Sequence, residues 1–457
     1  MAPFTPFAPI FLVLLIIAAV SVRGWVVAIG IAAFLQSPAP IVVDAGGRLS
    51  GIMPAYALLG IGLIHAVLHA LRSRSTLKPA TSDPVVAWLI VFTVIGVVGA
   101  IVLPRAFEGL VEVMPSAYGM DTLFIEKVHP SGRNPIQAAY LLFNLVLFLL
   151  CRWTVASRLV TVEQAVRGLI LGAGCSALLG LYQAIGYQIG LPWPSEVINS
   201  NTGVGQLYTQ TAFGMRRMSS TFLEPSLLGF HFLSAFALLG LGLRRGWIGG
   251  TLLLCLLIST SSSGYAGLLL LCPVALLVGG ARTDRRLMLV LVLLVLVIGT
   301  AYVVDLLCMD GQITSTFLTE KMTTTSGADR ARTNWVALRT VLESWGLGVG
   351  VGSSRVSGLP MTLLSTTGVP GFICFAGFLW VLVRACLQRG DQYGRAFALA
   401  ILAMAIVWSL SIPDLALPYA WTLCGFACGL LSLPLTGEQR VPRKFESMMT
   451  PATLVTS

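Results

Sequence analysis

Charged residues are scarce in this chain of 457 residues: Asp, Glu, Lys and Arg make up 11% of it, against 56% apolar residues. A soluble globular domain carries roughly 25% charged residues, so this composition lacks the polar surface that keeps a protein in water. Recognisable catalytic motifs are also missing. The sequence has no CxxC pair, Walker loop, GxSxG motif or paired-aspartate metal motif. We therefore expect no disulfide framework, no metal and no cofactor.

Long apolar runs fill most of the chain. A helix of about 20 residues crosses the ~30 Å hydrocarbon core of a bilayer and satisfies its own backbone hydrogen bonds there. The alternating pattern of a membrane barrel does not occur. The sequence therefore predicts an all-α polytopic membrane protein. The runs that predict single spans are Gly51–Leu71, Val85–Leu103, Pro135–Cys151, Ala165–Gly190, Leu227–Leu243, Leu287–Val304, Met361–Val383, Ala396–Ile412 and Tyr419–Leu433.

Two further apolar stretches do not have the length of one ordinary span. Trp247–Gly279 is too long, and the polar segment TSSSG at 260–264 predicts a tight hairpin of two short helices. Phe7–Leu35 is interrupted at Arg23 and Gly24, which fits either two short spans or one long tilted helix. The expected number of spans is therefore about 12 or 13, and the side of the membrane on which the chain begins is left open.

Basic residues lie mainly in the short loops between the apolar runs. The net charge of +10 therefore follows the positive-inside rule and does not indicate nucleic-acid binding. We expect one transmembrane domain at 1–437, followed by a basic cytoplasmic tail at 438–457. Three longer segments are predicted on the periplasmic side, at about 104–134, 191–224 and 305–360. Loops of such length are usually functional or disordered, and their aromatic residues and mixed charges favour function.

The second periplasmic loop ends in RRMSSTFLEPS, residues 216–226, directly before a predicted span. Pro225 suits the first turn of a helix. In one interpretation Arg216 and Arg217 bind a phosphate group while Glu224 accepts a proton or orients a hydroxyl. In the other, the arginines and Glu224 form an ordinary ion pair at a helix N-terminus. Residue types alone leave both interpretations open.

The third periplasmic loop contains DRARTNWVALRTVLESW, residues 329–345. Its apolar residues recur every three or four positions, which predicts an amphipathic helix lying on the outer leaflet. Arg330 and Arg332 fall in its first turn, where helix amides also bind anions. A basic interfacial helix that holds lipid headgroups is an equally good interpretation. The apolar stripe consists of Trp335, Leu338, Leu342 and Trp345.

Alternating glycines follow this helix in GLGVGVGSSR, residues 346–355. They suit a bent backbone that closely approaches a ligand or another helix, and the segment ends at Arg355. His65 and His69 have the spacing of a metal pair, but they lie in a span without an acidic partner. We therefore expect them to pack between helices.

The order of these features resembles the O-antigen polymerase and O-antigen ligase superfamily of Wzy-like and WaaL-like proteins. The resemblance is carried by RMSSTFLEPS before a helix, TSSSG in a hairpin, the Arg330-to-Trp335 segment, GVGVGSSR, and LLSTTGVPG at 363–371. It covers about Arg216 to Gly371 specifically. WaaL-like ligases place a histidine shortly before the last of these segments, whereas 305–360 contains none. The chain is therefore more similar to exopolysaccharide polymerases of the xanthan or acetan type.

The resemblance implies a membrane-embedded glycosyltransferase of the GT-C type that needs no metal. Such an enzyme joins undecaprenyl-diphosphate-linked oligosaccharide repeat units on the periplasmic face of the bacterial inner membrane. Its expected partners are this lipid-linked oligosaccharide, membrane lipid, and the flippase and chain-length or export proteins of the same pathway. The alternatives are an O-antigen ligase acting on lipid A core and a glycan transporter, which would require charges at mid-membrane.

The resemblance implies diphosphate-binding arginines in the external loops, and residue type and position supply the other candidates. The catalytic candidates are Glu224, Arg217 and Arg332, and the substrate-binding candidates are Arg216, Arg330, Arg339 and Arg355. One arginine of each of the pairs 216/217 and 330/332 is expected to bind the diphosphate, and the sequence does not choose within either pair.

Overall fold

The computed structural model describes residues 4–44, 49–73, 83–115, 124–202, 205–206, 209–212, 215–279 and 325–434. Helices account for most of them. In chain order these are α1 (Ala8–Val20), α2 (Val22–Ala32), α3 (Pro54–Ala57), α4 (Leu59–Ser73), α5 (Pro84–Ala106), α6 (Arg133–Ala156), α7 (Val162–Ile189), α8 (Ser195–Ile198), α9 (Pro225–Phe236), α10 (Gly246–Ile258), α11 (Ser262–Gly279), α12 (Thr325–Glu343), α13 (Leu359–Arg389), α14 (Gln392–Leu410) and α15 (Pro418–Leu431).

Seven helical segments of the described chain are long and apolar enough to cross a membrane. They are α5, α6, α7, α13, α14, the joined α3 and α4 (Pro54–Arg72), and α9 with its π-helical continuation (Pro225–Gly242). The chain is therefore an all-α, multi-pass membrane protein. Shorter apolar helices accompany these seven, namely α1, α2, α10, α11 and α15. The expected count of 12 or 13 spans stays a prediction, because the predicted span Leu287–Val304 lies outside the described residues.

The most deeply buried helices lie at the centre of the bundle. Every residue of α15 from Pro418 to Leu430 is buried, and it packs along α6, α14 and α13. α9 is buried except at Ser226 and packs against α10, α11 and α14. The helices on the periphery instead expose large apolar side chains, as expected where lipid surrounds a bundle. This arrangement places the N-terminus of α9 and the C-terminus of α14 next to the centre of the bundle.

Short β-hairpins, which the sequence did not predict, occupy the connections at one end of the bundle. Each is a two-stranded antiparallel pair. A strand of two to four residues is too short to show the alternation by which strands are recognised, which explains the omission. The pairs are β1 (Ile41–Asp44) with β2 (Leu49–Ile52), β3 (Glu112–Val113) with β4 (Glu126–Lys127), and β5 (Thr211–Ala212) with β6 (Met215–Arg216).

The N-terminal apolar run forms two short helices, which resolves the alternative left open by the sequence. The chain breaks at Ser21, whose backbone is extended and whose Oγ accepts a hydrogen bond from the Gly24 amide at 3.0 Å. α1 then packs along α2 as a hairpin. The segments before α1 and after α2 meet where the Thr5 amide donates a hydrogen bond to the carbonyl of Pro40 at 3.2 Å. Phe4 and Thr5 therefore lie at the end of the bundle that carries the β-hairpins.

The predicted break in the long apolar stretch 247–279 is confirmed. α10 ends at Ile258 and α11 begins at Ser262, so the polar residues between them form the tip of a helical hairpin. Thr260 at this tip adopts the left-handed conformation with φ of 50°. Ser261 Oγ accepts the Gly264 amide at 3.2 Å, which satisfies one of the free donors in the first turn of α11.

The alternating glycines bring their backbone against other helices. A Cβ on Gly350 would lie 2.7 Å from the carbonyl oxygen of Gly99 in α5, and one on Gly352 would lie 2.7 Å from that of Arg133 in α6. Both glycines also have positive φ, at 91° and 89°. The expectation of a close helix approach is confirmed, and it fixes the backbone that leads to Arg355 and α13.

α12 is the predicted amphipathic helix. Its inner face holds Val336, Ala337 and Thr340, and Thr340 Oγ1 donates to the carbonyl of Glu112 in β3 at 2.9 Å. Its apolar stripe faces away from the protein and is exposed: Trp335 by 68%, Leu338 by 42%, Leu342 by 69% and Trp345, just beyond the helix, by 84%.

The two ends of the bundle differ in charge. One end carries the basic loops, whose arginines pair with nearby carboxylates: Arg152 with Asp83 at 3.1 Å, Arg245 with Glu163 at 2.6 Å and Arg389 with Asp391 at 2.6 Å. The other end carries the β-hairpins, α12 and the start of α9. The described parts of the predicted loops 104–134, 191–224 and 305–360 belong to this second end. The tail at 438–457 lies outside the described residues.

Candidate functional site

A cavity of about 250 Å³ opens at the end of the bundle that carries the β-hairpins. Four separate parts of the chain contribute to it: the start of α9, the first half of α12, the connection before α13 and the end of α14. Its lining is polar and includes one carboxylate and two guanidinium groups. The lining residues are Glu224, Ser226, Arg330, Thr333, Arg355, Val356, Ser357, Ser411 and Pro413.

Glu224 lies at the N-terminal boundary of α9. Its backbone is extended, with φ of −153° and ψ of 159°, and Pro225 occupies the first helical turn as the sequence predicts. The Ser226 hydroxyl donates a hydrogen bond to Glu224 Oε1. This contact fixes one oxygen of the carboxylate at the cavity wall, beside the positive end of the helix dipole.

The residues before Glu224 are anchored in the interior of the protein. Gln183 Oε1 in α7 accepts the amides of Ser219 at 2.8 Å and Ser220 at 2.7 Å. The Thr221 carbonyl accepts the amide of Ser37 at 2.8 Å, which ties the segment to the connection after α2. All three residues from Ser219 to Thr221 are fully buried. The SST part of the motif therefore acts as an anchor that determines where α9 and Glu224 begin.

Arg330 and Arg332, which the sequence could not separate, have different surroundings. Arg330 lines the cavity, and no carboxylate within the described part of the chain pairs with it. Because each helical residue turns by about 100°, Arg332 leaves α12 in a very different direction. Both arginines are exposed, but only Arg330 lines the cavity.

Inside the cavity, a contact between two hydroxyl groups joins α12 to the segment that precedes α13. The hydroxyl oxygens of Thr333 and Ser357 lie 2.6 Å apart, and Thr333 Oγ1 is also 3.0 Å from the carbonyl oxygen of Arg330. The backbone amide of Arg355 donates to the Met114 carbonyl at 3.0 Å. These bonds hold the segments that carry the two arginines in a fixed relation.

Arg355 forms a bidentate ion pair with Asp414. Its Nη2 lies 3.0 Å from Oδ2 and its Nε lies 3.3 Å from Oδ1 of the carboxylate. Such a fork restricts the orientation of the guanidinium group. Asp414 is in the connection between α14 and α15, one residue beyond the cavity-lining Pro413.

Arg217 lies near Glu224 but outside the cavity lining. Its Nη2 donates to the Thr260 carbonyl at 3.0 Å, its Nε to Thr260 Oγ1 at 3.2 Å and its Nη1 to Gln210 Oε1 at 3.2 Å. Burial lowers the pKa of Arg217, and the negative charge of Glu224 acts in the opposite direction. Arg217 therefore connects the tip of the α10–α11 hairpin to the loop that precedes Glu224.

Two of the substrate-binding candidates lie elsewhere at this end of the bundle. Arg216 is exposed, with its guanidinium 5.0 Å from the ring centre of Tyr187. Arg339 pairs with Glu343 at 2.6 Å and with Glu112 at 3.0 Å, and these carboxylates raise its pKa. Arg216, Arg332 and Arg339 thus stay predictions that have no contact with the cavity.

Sequence reasoning missed several residues of the cavity. Ser226, Thr333, Ser357 and Ser411 carry no distinguishing signal, because serine and threonine are common at helix ends. Asp414 did carry a signal. It is one of only 19 acidic residues and directly follows a predicted span on the side of the long loops.

The described residues contain no group of three or more His, Cys, Asp and Glu side chains that could hold a metal ion. Comparison of the chain with protein-family models and with curated proteins found no match. The geometry of the cavity indicates which chemistry it could support. It combines a carboxylate that can accept a proton with two guanidinium groups suited to a phosphorylated ligand, at the end of a membrane-embedded bundle.

Proposed function

We propose that the chain is a glycan polymerase that joins undecaprenyl-diphosphate-linked oligosaccharide repeat units into exopolysaccharide or O-antigen. The observation that carries the proposal is the cavity in which Glu224, Arg330 and Arg355 meet. The basic loops lie at the opposite end of the bundle, and the positive-inside rule assigns such loops to the cytoplasm. The cavity would then open on the periplasmic face of the inner membrane.

The lipid-linked donor would reach the cavity from the membrane. The exposed stripe of α12, which includes Trp335 and Leu342, is suited to lie in the outer leaflet at the level of the headgroups. Arg330 on the same helix would then meet the diphosphate at the depth where it joins its polyprenyl chain. Bidentate guanidinium groups match phosphate oxygens well, so Arg330 and Arg355 are the proposed diphosphate ligands.

In the proposed reaction, an acceptor sugar hydroxyl attacks the anomeric carbon of the donor glycan. Glu224 accepts the hydroxyl proton as the new carbon–oxygen bond forms. The bond between the anomeric carbon and the diphosphate oxygen breaks, and its electron pair leaves with undecaprenyl diphosphate. Arg330 and Arg355 stabilise the negative charge of that leaving group. Attack opposite to the leaving group inverts the anomeric configuration, as the family resemblance implies.

The proposal includes a GT-C-type architecture with 12 or 13 spans and the partners expected of such a pathway, a flippase and chain-length or export proteins. A ligase that transfers the glycan to lipid A core would use the same chemistry. The absence of histidine from 305–360 favours the polymerase. A transporter would require charges at mid-membrane, whereas Glu224 and the arginines lie at helix ends.

A Glu224→Gln substitution tests the proposed function. The amide keeps the size of the side chain but does not accept the proton, so polymer should be lost and single lipid-linked repeat units should accumulate on the periplasmic side. The measurement is the lipid-linked glycan profile of a deletion strain that carries the variant. Glu196→Gln is the matched control, because Glu196 is an exposed carboxylate at the same end of the bundle.

Each other result points to a different function. Polymer that persists without attachment to lipid A would indicate a ligase, and repeat units confined to the cytoplasmic side would indicate a transporter. Normal polymer from a Glu224→Gln protein present at wild-type amount would show that the cavity is not the catalytic site.

A further inference from the structure

The connection between α14 and α15 is unusually well held for a loop at the end of a membrane bundle. The indole nitrogen of Trp408 donates to the Asp414 carbonyl at 3.1 Å, and that of Trp421 donates to the Leu415 carbonyl at 2.8 Å. Asn144 Nδ2 in α6 donates to the same Leu415 carbonyl at 3.0 Å. Both indoles and the amide are almost fully buried. Three helices therefore fix two consecutive backbone carbonyls.

This set of bonds extends further into the bundle. The Tyr56 hydroxyl donates to Asn144 Oδ1 at 2.6 Å, so the amide that holds the loop is itself oriented. Buried polar groups that are satisfied in this way restrict a segment to one conformation. The side chain of Asp414 consequently projects from a rigid backbone, and it meets Arg355 in the bidentate pair described above.

The ion pair between Arg355 and Asp414 is partly open to solvent, with 33% and 28% of the two side chains exposed. Exposed ion pairs contribute little to stability. Its bidentate geometry has a different consequence, because it fixes the plane of a guanidinium group that lines the cavity. The backbone of Arg355 is held independently by the Met114 carbonyl. Arg355 is thus constrained from both sides, as expected of a group that must be oriented before its ligand arrives.

We propose that Asp414 is a positioning residue that orients Arg355 for the diphosphate of the lipid-linked donor. This inference rests on the proposed function and adds a role for a residue outside the cavity lining. Asp414 acts through Arg355, and the buried donors Trp408, Trp421 and Asn144 make that action precise by holding its backbone. Lysine could not replace Arg355 here, because an ammonium group cannot pair with Asp414 through a planar fork.

The test compares binding of undecaprenyl diphosphate by the purified full chain and its variants in lipid nanodiscs, together with thermal unfolding. Asp414→Asn should weaken binding by about 10- to 100-fold, by analogy with metal sites, where loss of a partner that orients a ligand typically costs that much affinity. Its unfolding temperature should stay close to that of the wild type. Asp414→Glu, which keeps the charge but shifts it, should give a smaller loss and serves if the Asn variant folds poorly.

Two further variants separate positioning from simple structural support. Arg167→Gln breaks an exposed ion pair at the opposite end of the bundle, that with Glu163, and should leave binding unchanged. The exchanged pair Arg355→Asp with Asp414→Arg should also keep an unfolding temperature close to that of the wild type but should not bind, because the cation then lies on the wrong side.

The outcomes are distinguishable. A wild-type protein that does not bind undecaprenyl diphosphate overturns the proposed function itself. If the wild type binds and Arg355→Ala does not, yet Asp414→Asn and Asp414→Glu both bind like the wild type, Asp414 does not position Arg355. Restored binding in the exchanged pair would likewise overturn the inference, since any ion pair would then suffice.

Discussion

At the scale of single residues, the direction in which a side chain leaves the backbone determines its role more than the residue type does. Arg330 and Arg332 are chemically identical and two positions apart on α12, yet only Arg330 lines the cavity. Arg355 and Arg217 likewise differ in what they hold, since Arg355 pairs with Asp414 and Arg217 binds Thr260. Of the two arginine pairs expected to supply a diphosphate ligand, the pair 330/332 places Arg330 in the cavity lining, beside Arg355. Neither Arg216 nor Arg217 lines the cavity, so a ligand from that pair stays a prediction, and Arg217 holds the loop before Glu224.

This difference predicts unequal effects of two alanine substitutions. Arg330→Ala should abolish polymer because it removes a cation from the cavity, whereas Arg332→Ala should retain most of it because that side chain lies outside the lining. The measurement is polymer length and yield in a complemented deletion strain at matched protein amounts. Equal loss in both variants would mean that a general positive charge on α12 is what matters.

At the scale of elements, backbone conformation rather than side-chain chemistry explains why glycines alternate in the segment after α12. Gly350 has φ of 91° and lies against the Gly99 carbonyl of α5. Gly350 belongs to the segment that connects α12 to Arg355, so its conformation determines the position of that arginine.

A Gly350→Ala substitution should therefore destabilise the protein. The left-handed conformation alone costs about 1–3 kcal/mol for a residue with a side chain, and the added Cβ would also meet the Gly99 oxygen at 2.7 Å. Gly60→Ala in α4 is the control, because nothing lies within 4 Å of its added Cβ and alanine favours helix. Thermal unfolding in detergent measures both, and equal stability would show that the 346–352 segment is not packed as described.

The other elements differ in how far sequence could predict them. The break in 247–279 and the stripe of α12 follow from local hydrophobicity, and both were predicted correctly. The break between α1 and α2 was expected near Arg23 but occurs at Ser21, because a serine that caps the next helix ends the first one. The three β-hairpins were missed, since pairs of two to four residues depend on contacts with the rest of the end of the bundle.

At the scale of the whole molecule, the two ends of the bundle have different compositions and should face different compartments. Glu196 lies at the end with the cavity, and Ser157 lies in a basic loop at the other end, and both are exposed. The proposed orientation places the first in the periplasm and the second in the cytoplasm.

Labelling with a membrane-impermeant maleimide checks this orientation. Glu196→Cys should react in intact cells, whereas Ser157→Cys should react only after the inner membrane is permeabilised. Two native cysteines are first replaced by serine to remove background: Cys175, which is exposed, and Cys308, which lies outside the described residues in a predicted periplasmic loop. The reverse pattern would place the cavity in the cytoplasm and would remove the basis for a periplasmic polymerase.

The amino-acid sequence alone indicates a helical membrane protein, locates many of its helices and identifies the polar residues that are unusual among them. Hydrophobicity and periodicity are local properties, so a single segment is enough to reveal them. The packing of the helices is what reveals that Glu224, Arg330 and Arg355 share one cavity and that Asp414 holds Arg355. These residues come from four distant segments, and their meeting depends on how each helix is rotated and packed against the others.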